Sequence, residues 1–310
     1  MKTQFTLFAL TVSAAVGSLW TAPAAQADPL PGEVLKFQQL PLNNTQVFGQ
    51  VYQGHDELST AWLDTSGLFY RGTFMADDFA DKLSSPIVHL KWWGSYIANP
   101  NLTSVPAFLI SFESDIPANP NGGFSQPGTP LLSQIVTPGA LTPGSGTFVE
   151  TLINGNIPEH LYQYNAELSV PFPEQQDTVY WLKIVALSQD SALQWGWHNR
   201  DYTVMDPFAS PLVSPGETNL GPAVSPIWHF QDDAVTGGVD IIPNPVPGSP
   251  TVNQYNMSPT NYIDIIDGPP GIGQYSKDLA FEIYTVPEPA APVILGLALT
   301  AMILRRPRRA

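Results

Sequence analysis

Hydrophobic side chains recur at every second position through most of the middle of the chain. Val88, Leu90 and Trp92, for example, share one face of such a stretch. Because successive side chains of a strand point to opposite faces, a period of two predicts β-strands. We predict ten strands, at residues 68–74, 86–93, 108–112, 131–136, 147–153, 161–170, 180–186, 193–197, 227–234 and 279–285.

Prolines and glycines separate these stretches. The 310 residues include 32 prolines and 24 glycines, which interrupt helices but suit the turns between short strands. We therefore predict an all-β protein with a single antiparallel β-sandwich, jelly-roll-like, and long Pro/Gly-rich loops at residues 117–130 and 206–226. Residues 243–270 are interpreted as an insertion or long loop. The compact part is expected from about Phe48 to Thr285, within a secreted segment of residues 28–286.

Charge and cysteine content narrow the possible chemistry. The whole chain carries a net charge of −15, and residues 28–286 hold 26 acidic and 7 basic side chains. Such a surface repels a polyanion, so we expect no nucleic-acid partner. The absence of cysteine excludes disulfides, thiolate zinc sites and cysteine nucleophiles.

The N-terminal segment has the three parts of a secretory signal peptide. Lys2 precedes an apolar run over residues 5–20, and Ala25 and Ala27 form a small-x-small cleavage site before Asp28. This order is typical of a signal peptide spanning residues 1–27. We therefore expect the export machinery to move the chain out of the cytoplasm.

The C-terminal segment also has three parts. Pro287, Glu288 and Pro289 are followed by a predominantly apolar stretch, residues 290–304, and then by basic residues. Fifteen residues of helix span about 22 Å, which is short for a bilayer core of about 30 Å, so we predict a marginal transmembrane helix. Arginines after a helix favour the cytoplasmic side for that end. The arginines are Arg305, Arg306, Arg308 and Arg309.

This tail resembles the PEP-CTERM sorting signal of Gram-negative bacteria, because the tripeptide, the short helix and the arginine-rich end occur in that order. The resemblance implies an exosortase-like enzyme that recognises Pro287, Glu288 and Pro289, processes the tail and releases the protein to the cell surface or outside. It also implies a transient membrane anchor and a possible association with exopolysaccharide.

Five short phrases in the middle of the chain are similar to an uncharacterised family of secreted bacterial domains found on PEP-CTERM chains. That family has no assigned activity, so the similarity implies a β-sandwich and an extracellular location but supplies no catalytic residue. The phrases are Met75–Phe79, Trp93–Tyr96, Ser114–Pro117, Tyr180–Leu182 and Asp278–Phe281.

Neighbouring acids provide the only metal candidates that we derive from the sequence. Asp77 with Asp78, and Asp232 with Asp233, could supply oxygens to calcium, although the chain has no EF-hand loop. The histidines show no metal-binding spacing. Calcium therefore remains a possible cofactor, and His229, close to Asp232 and Asp233, a weak site candidate.

Aromatic residues leave a carbohydrate function open. Trp92, Trp93, Trp195, Trp197 and Trp228 could stack on sugar rings, but adjacent tryptophans in a strand cannot both face solvent, so core packing is favoured. Catalytic serine or phosphate-loop motifs are absent.

We therefore expect a non-enzymatic secreted or surface protein with a structural or adhesive role in the envelope or extracellular matrix. The alternative is a carbohydrate-binding or carbohydrate-active jelly roll with calcium as a candidate stabilising ion, since paired carboxylates for glycoside hydrolysis can come from separated strands.

Overall fold

The structure is a computed structural model, and it describes residues 29–47, 50–97, 104–117, 125–155, 160–201, 204, 206–210, 234–243, 255–264 and 278–287. Within these residues the chain is all-β and contains no helix. The predicted fold class is thus confirmed at this level. The predicted signal peptide and the segment 290–304 lie outside the described residues.

Sixteen strands make up this part of the chain. Their bounds are β1 Val34–Gln39, β2 Thr45–Val47, β3 Gln50–Tyr52, β4 Asp56–Leu58, β5 Thr60–Leu63, β6 Tyr70–Phe79, β7 Ile87–Tyr96, β8 Ala107–Ile116, β9 Gln126–Pro138, β10 Thr147–Asn154, β11 Leu161–Phe172, β12 Tyr180–Ser188, β13 Trp195–His198, β14 Val235–Pro243, β15 Tyr255–Asp264 and β16 Phe281–Thr285.

Fourteen of these strands form one large sheet in the order β1-β16-β7-β11-β10-β9-β8-β12-β5-β6-β14-β15, with β13 beside β7 and β4 beside β13. β2 and β3 form a separate hairpin. The sheet is mixed, because β5 runs parallel to β12 and β9 parallel to β10. The prediction of a purely antiparallel arrangement is therefore wrong. Side-chain alternation reports which face is buried and carries no information about the direction of a neighbouring strand.

The core lies between strands that are far apart in the sheet order. The Phe79 ring of β6 lies 5.9 Å from that of Phe37 in β1 and 6.3 Å from that of Phe281 in β16. Trp92 of β7 likewise meets Phe108 of β8 at 5.1 Å between ring centroids. The sheet must curve back on itself to bring these rings together, and burying such aromatic rings supplies much of the driving force for folding.

Seven strands were not predicted at their observed positions: β1, the short strands β2 to β5, β14 and β15. β1 carries buried polar side chains, Lys36 and Gln39, so its sequence lacks a clean apolar alternation. β15 lies in the stretch interpreted as a loop and contains Pro259, which is tolerated because β15 ends the sheet order and pairs only with β14. The compact part therefore begins at β1 rather than near Phe48.

Of the strand predicted at residues 227–234, the structure describes only Ala234, which directly precedes β14. The structure begins β14 at Val235, and residues 227–233 lie outside the described part. The described residues contain no helix that is long and apolar enough to cross a membrane.

Candidate functional site

The tryptophans considered for sugar stacking are core residues wherever the structure describes them. Trp92, Trp195 and Trp197 are fully buried, and Trp93 is 5% exposed. The prediction that core packing is favoured is confirmed for these four rings, and none of them forms a surface platform. Trp228 lies outside the described residues.

The side chains of Asp77 and Asp78, two of the four predicted calcium residues, do not converge. Asp77 and Asp78 lie inside β6, are both buried, and as neighbours in a strand point to opposite faces. The Asp77 carboxylate accepts hydrogen bonds from the backbone N–H groups of Leu279, at 2.7 Å, and Asp78, at 3.0 Å. Asp232, Asp233 and His229 lie outside the described residues, so calcium binding there stays a prediction.

The chain enters β1 and leaves β16 at the same end of this pair of strands. β1 and β16 are antiparallel neighbours, and Val34, the first residue of β1, lies opposite Thr285, the last residue of β16. Val286 is half-exposed and Pro287 is exposed. We call this end, Val34 with residues 285–287, the exit pole. The other sorting and cleavage residues, Glu288, Pro289, Ala25, Ala27 and the four tail arginines, lie outside the described part.

A buried histidine near the exit pole has two carboxylates on one ring nitrogen. Strand alternation sends Leu90 and Trp92 of β7 into the core and turns His89 to the opposite face. There His89 Nδ1 lies 2.9 Å from Glu167 Oε1 of β11 and 3.0 Å from Glu33 Oε2. We call these three residues the histidine cluster; their side chains are between 0% and 3% exposed.

Local structure fixes the position of Glu33. A turn with Gly32 at a φ of 96° precedes β1, a conformation that favours glycine. The turn is closed by a hydrogen bond from Glu33 N–H to Leu30 O at 3.0 Å, and Leu30 N–H donates to Glu33 Oε2 at 2.9 Å. On the far side of the ring, His89 Nε2 lies 3.4 Å from Asn165 Oδ1.

The electrostatics of the histidine cluster are unusual. Burial acts to lower the pKa of His89, but hydrogen bonds and charge from Glu167 and Glu33 outweigh it and raise that pKa to about 9. Burial raises the pKa of Glu167. The pKa of Glu33 is lowered, because contacts with His89 and the Leu30 N–H outweigh the effect of its burial.

A second cluster also places two carboxylates around one basic nitrogen, which here belongs to a lysine. Lys36 of β1 contacts the carboxylates of Asp81, at 3.3 Å, and Glu174, and donates to the carbonyl oxygens of Leu83, at 3.3 Å, and Ser85, at 2.5 Å. All three charged side chains are buried. We call Lys36, Asp81 and Glu174 the lysine cluster. Burial and the neighbouring Asp81 carboxylate raise the pKa of Glu174 to about 9.

Two further contacts between buried or partly buried polar side chains connect pairs of strands. Lys183 Nζ of β12 lies 2.9 Å from Glu113 Oε1 of β8, and burial lowers the lysine pKa and raises the glutamate pKa. Tyr96 of β7 donates to Glu150 Oε2 of β10 at 2.5 Å. These contacts link neighbouring regions of the sheet, and their geometry assigns them a structural role.

A surface hollow of about 530 Å³ lies beside the end of β12. Tyr70 supplies an aromatic ring, and Ser188, Gln189 and Asp190 supply polar groups. Asp190 also closes its own turn, since its Oδ1 accepts from the Ala192 N–H at 2.9 Å. The hollow therefore combines one aromatic face with a few polar groups, which is a suitable but unspecific lining for a small polar ligand.

Sequence reasoning missed the histidine cluster because its three residues come from distant segments of the chain. One signal was available: His89 interrupts an apolar strand at a position that alternates away from Leu90 and Trp92. A titratable side chain on the second face of a core strand needs buried partners. The sequence does not reveal that Glu33 and Glu167 are those partners.

Residues 35–235 match a protein family described as a domain of unknown function, DUF7901. The chain belongs to this family. The match runs from β1 to the first residue of β14, so the DUF7901 region contains His89, Glu167 and the whole lysine cluster, while Glu33 lies two residues before it. No curated protein and no solved structure is similar enough to the chain to be matched.

Proposed function

We propose that this chain is a non-enzymatic exported protein whose domain is held at the cell boundary by its tail, processed by an exosortase-like enzyme, and used as a structural or adhesive element in the envelope or extracellular matrix. The observation that carries the proposal is the exit pole. The leader and the tail join the domain at Val34 and Thr285, which are paired neighbours.

The exit pole suits a protein whose terminal segments are recognised and processed by enzymes in the membrane. The tail resembles the PEP-CTERM signal, and its first residue, Pro287, is exposed two residues after β16 ends. A processing enzyme in the membrane could reach the tripeptide without unfolding β16. With both junctions at one pole, the rest of the domain can extend away from the bilayer.

The architecture that we propose for the domain is a β-sandwich. Its support is the contact between β1 and β16 on one side of the core and β6 on the other, through Phe37, Phe281 and Phe79. A sandwich alone does not specify a function, because the same architecture serves adhesion, binding and catalysis.

A carbohydrate-binding role is the second candidate, and the hollow beside Tyr70 and Asp190 is the observation that favours it. Aromatic rings with polar neighbours suit sugar faces and hydroxyl groups. Retardation of the wild-type chain, but not of a Tyr70→Ala variant, in a polysaccharide affinity gel would support this role; equal migration with and without polysaccharide would remove it.

The sorting proposal is tested by replacing Pro287, Glu288 and Pro289 with alanine in a host that possesses an exosortase. We expect export and signal-peptide removal to continue and tail processing to stop, so that the mature chain gains the mass of the unprocessed tail. The matched control is Pro143→Ala in an exposed turn, which should give the wild-type mature mass. An unchanged mature mass in the triple variant would refute the proposal.

A further inference from the structure

The histidine cluster places two carboxylates against one ring nitrogen. A ring nitrogen donates one proton, yet His89 Nδ1 has two carboxylate oxygens within 3.0 Å. An imidazolium with two carboxylates leaves these three side chains with a net charge of −1, and all three are almost completely removed from water. A divalent cation with a neutral imidazole would bring the same three side chains to zero, which a low-dielectric site favours.

From this arrangement we propose that Glu33, His89 and Glu167 form a binding site for one divalent transition-metal ion, with zinc as its representative. The metal takes the position that a proton on Nδ1 occupies in the metal-free chain, and that proton leaves to solvent. One carboxylate oxygen from each glutamate and Nδ1 of His89 are the protein ligands. A water molecule can complete the coordination, as in zinc sites with three protein ligands.

The ligand atoms lie slightly closer together than they would on a metal ion. With bonds of about 2.0 to 2.2 Å, neighbouring ligand atoms on a tetrahedral metal ion lie about 3.3 to 3.6 Å apart. The two nitrogen–oxygen distances in the cluster are 2.9 and 3.0 Å, and all three ligand atoms lie within 4.8 Å of one another. Small side-chain adjustments would therefore convert the hydrogen-bonded arrangement into a coordinated one.

The second ring nitrogen is placed as metal-binding histidines require. Nε2 of His89 faces Asn165 Oδ1 at 3.4 Å, so an Nε2–H can donate to the amide and leave the Nδ1 lone pair for the metal. The Tyr284 ring, 5.1 Å from the His89 ring between centroids, packs beside it. These contacts hold the imidazole in one orientation before a metal arrives.

The donor set selects the class of metal. One imidazole with two carboxylates suits zinc and neighbouring first-row ions, whereas calcium requires six to eight oxygens. The site thus differs in its residues and in its chemistry from the calcium candidates in the sequence. Its ligands come from the residue before β1 and from β7 and β11, so a bound ion would fasten the start of β1 to the sheet close to the exit pole.

The test uses the full-length chain without a histidine tag, purified in mild detergent, stripped with excess chelator and dialysed against zinc chloride. Metal analysis is expected to give one tightly held zinc per chain, and zinc should raise Tm while the same concentration of calcium should not. His89→Gln and Glu167→Gln should each reduce bound zinc to less than a tenth of the wild-type amount. Asn165→Ala should weaken zinc binding by about 10- to 100-fold.

Two histidine variants serve as matched controls. His198 is equally buried but has one carboxylate, Asp56, at 2.9 Å, and its Nε2 faces the Leu42 carbonyl oxygen. His55 lies on the surface near Glu57. His198→Gln and His55→Gln should retain one zinc per chain.

Failure to bind zinc in the wild type, or wild-type stoichiometry in both Glu167→Gln and His89→Gln, would overturn the proposal. Should both variants fail to fold, X-ray absorption of the zinc-loaded wild type decides: a spectrum with one nitrogen and otherwise oxygen ligands supports the site, and one with several histidine ligands contradicts it.

Discussion

The histidine cluster and the lysine cluster are built alike and differ in one side chain. Each places two carboxylates around one nitrogen base, and each attaches β1, or the turn before it, to the body of the sheet. Lysine offers an ammonium with three donors and no lone pair, and two backbone carbonyls lie within reach of it beside the carboxylates. Histidine can release a proton and present a lone pair to a metal.

The two clusters contain the same number of carboxylates and basic nitrogens, but this equality does not give them the same role. The ammonium of the lysine cluster has no lone pair to offer a metal ion, so we assign this cluster to stability. The histidine cluster has one N–H facing two carboxylates, so it is completed by a cation. Each expected effect below follows from that distinction.

Replacing Lys36 with methionine is expected to have the largest effect. The variant leaves Asp81 and Glu174 buried together without their cation, which costs about 3 to 5 kcal/mol of the free energy of unfolding. Urea denaturation measures this loss. Lys82→Met, which changes an exposed lysine a few residues after β6, should stay within about 0.5 kcal/mol of wild type.

Replacing His89 with glutamine in the metal-free chain should cost less, about 1 to 3 kcal/mol. The loss is smaller because the glutamine amide can still donate to one of the two carboxylates, whereas the methionine of Lys36→Met offers no donor. The same denaturation experiment, with chelator present, measures it. If this variant proved more destabilising than Lys36→Met, the two clusters would not differ as described.

The pH dependence of stability reports on Glu174 of the lysine cluster. The pKa of Glu174 is raised to about 9 in the folded chain, far above its ordinary value of 4.5. Because the folded state then holds a proton that the unfolded state has released, the contribution of Glu174 to stability is complete below pH 4.5 and is lost as pH rises towards 9. From pH 6 to 9 we therefore expect the free energy of unfolding to fall.

Glu174→Gln should reduce this slope, because glutamine does not titrate, and denaturation at pH 6, 7.5 and 9 compares the two chains. Part of the slope should remain, because the pKa of His89 is also raised to about 9 and its contribution is lost over the same range. A slope that is equally steep in the variant would show that another group causes it.

The period of two predicted most of the long strands well, because β6 to β12 and β16 each bury alternating apolar residues. It failed for β1, where Lys36 and Gln39 are buried, and for β15, which contains Pro259. Buried polar residues look like surface residues in a sequence, and only their partners explain why they are inside. Both failures therefore have a physical cause.

The site was less predictable than the fold. Adjacent acids suggested calcium at Asp77 and Asp78, yet strand geometry sends these two side chains to opposite faces. Glu33 and Glu167 are far apart in the sequence. They meet because the strand order β1-β16-β7-β11 brings the start of β1 and β11 to the two sides of β7, which carries His89. Such convergence depends on strand order, which hydrophobic alternation does not encode.

Anomalous X-ray scattering at the zinc edge, from crystals of the full chain equilibrated with zinc, tests the contrast between the two clusters most directly. We predict a single strong peak about 2.0 to 2.2 Å from His89 Nδ1 and from one oxygen of each of Glu33 and Glu167, with no peak at Lys36. A histidine cluster without a peak, while zinc occupies other places on the protein, would contradict the account.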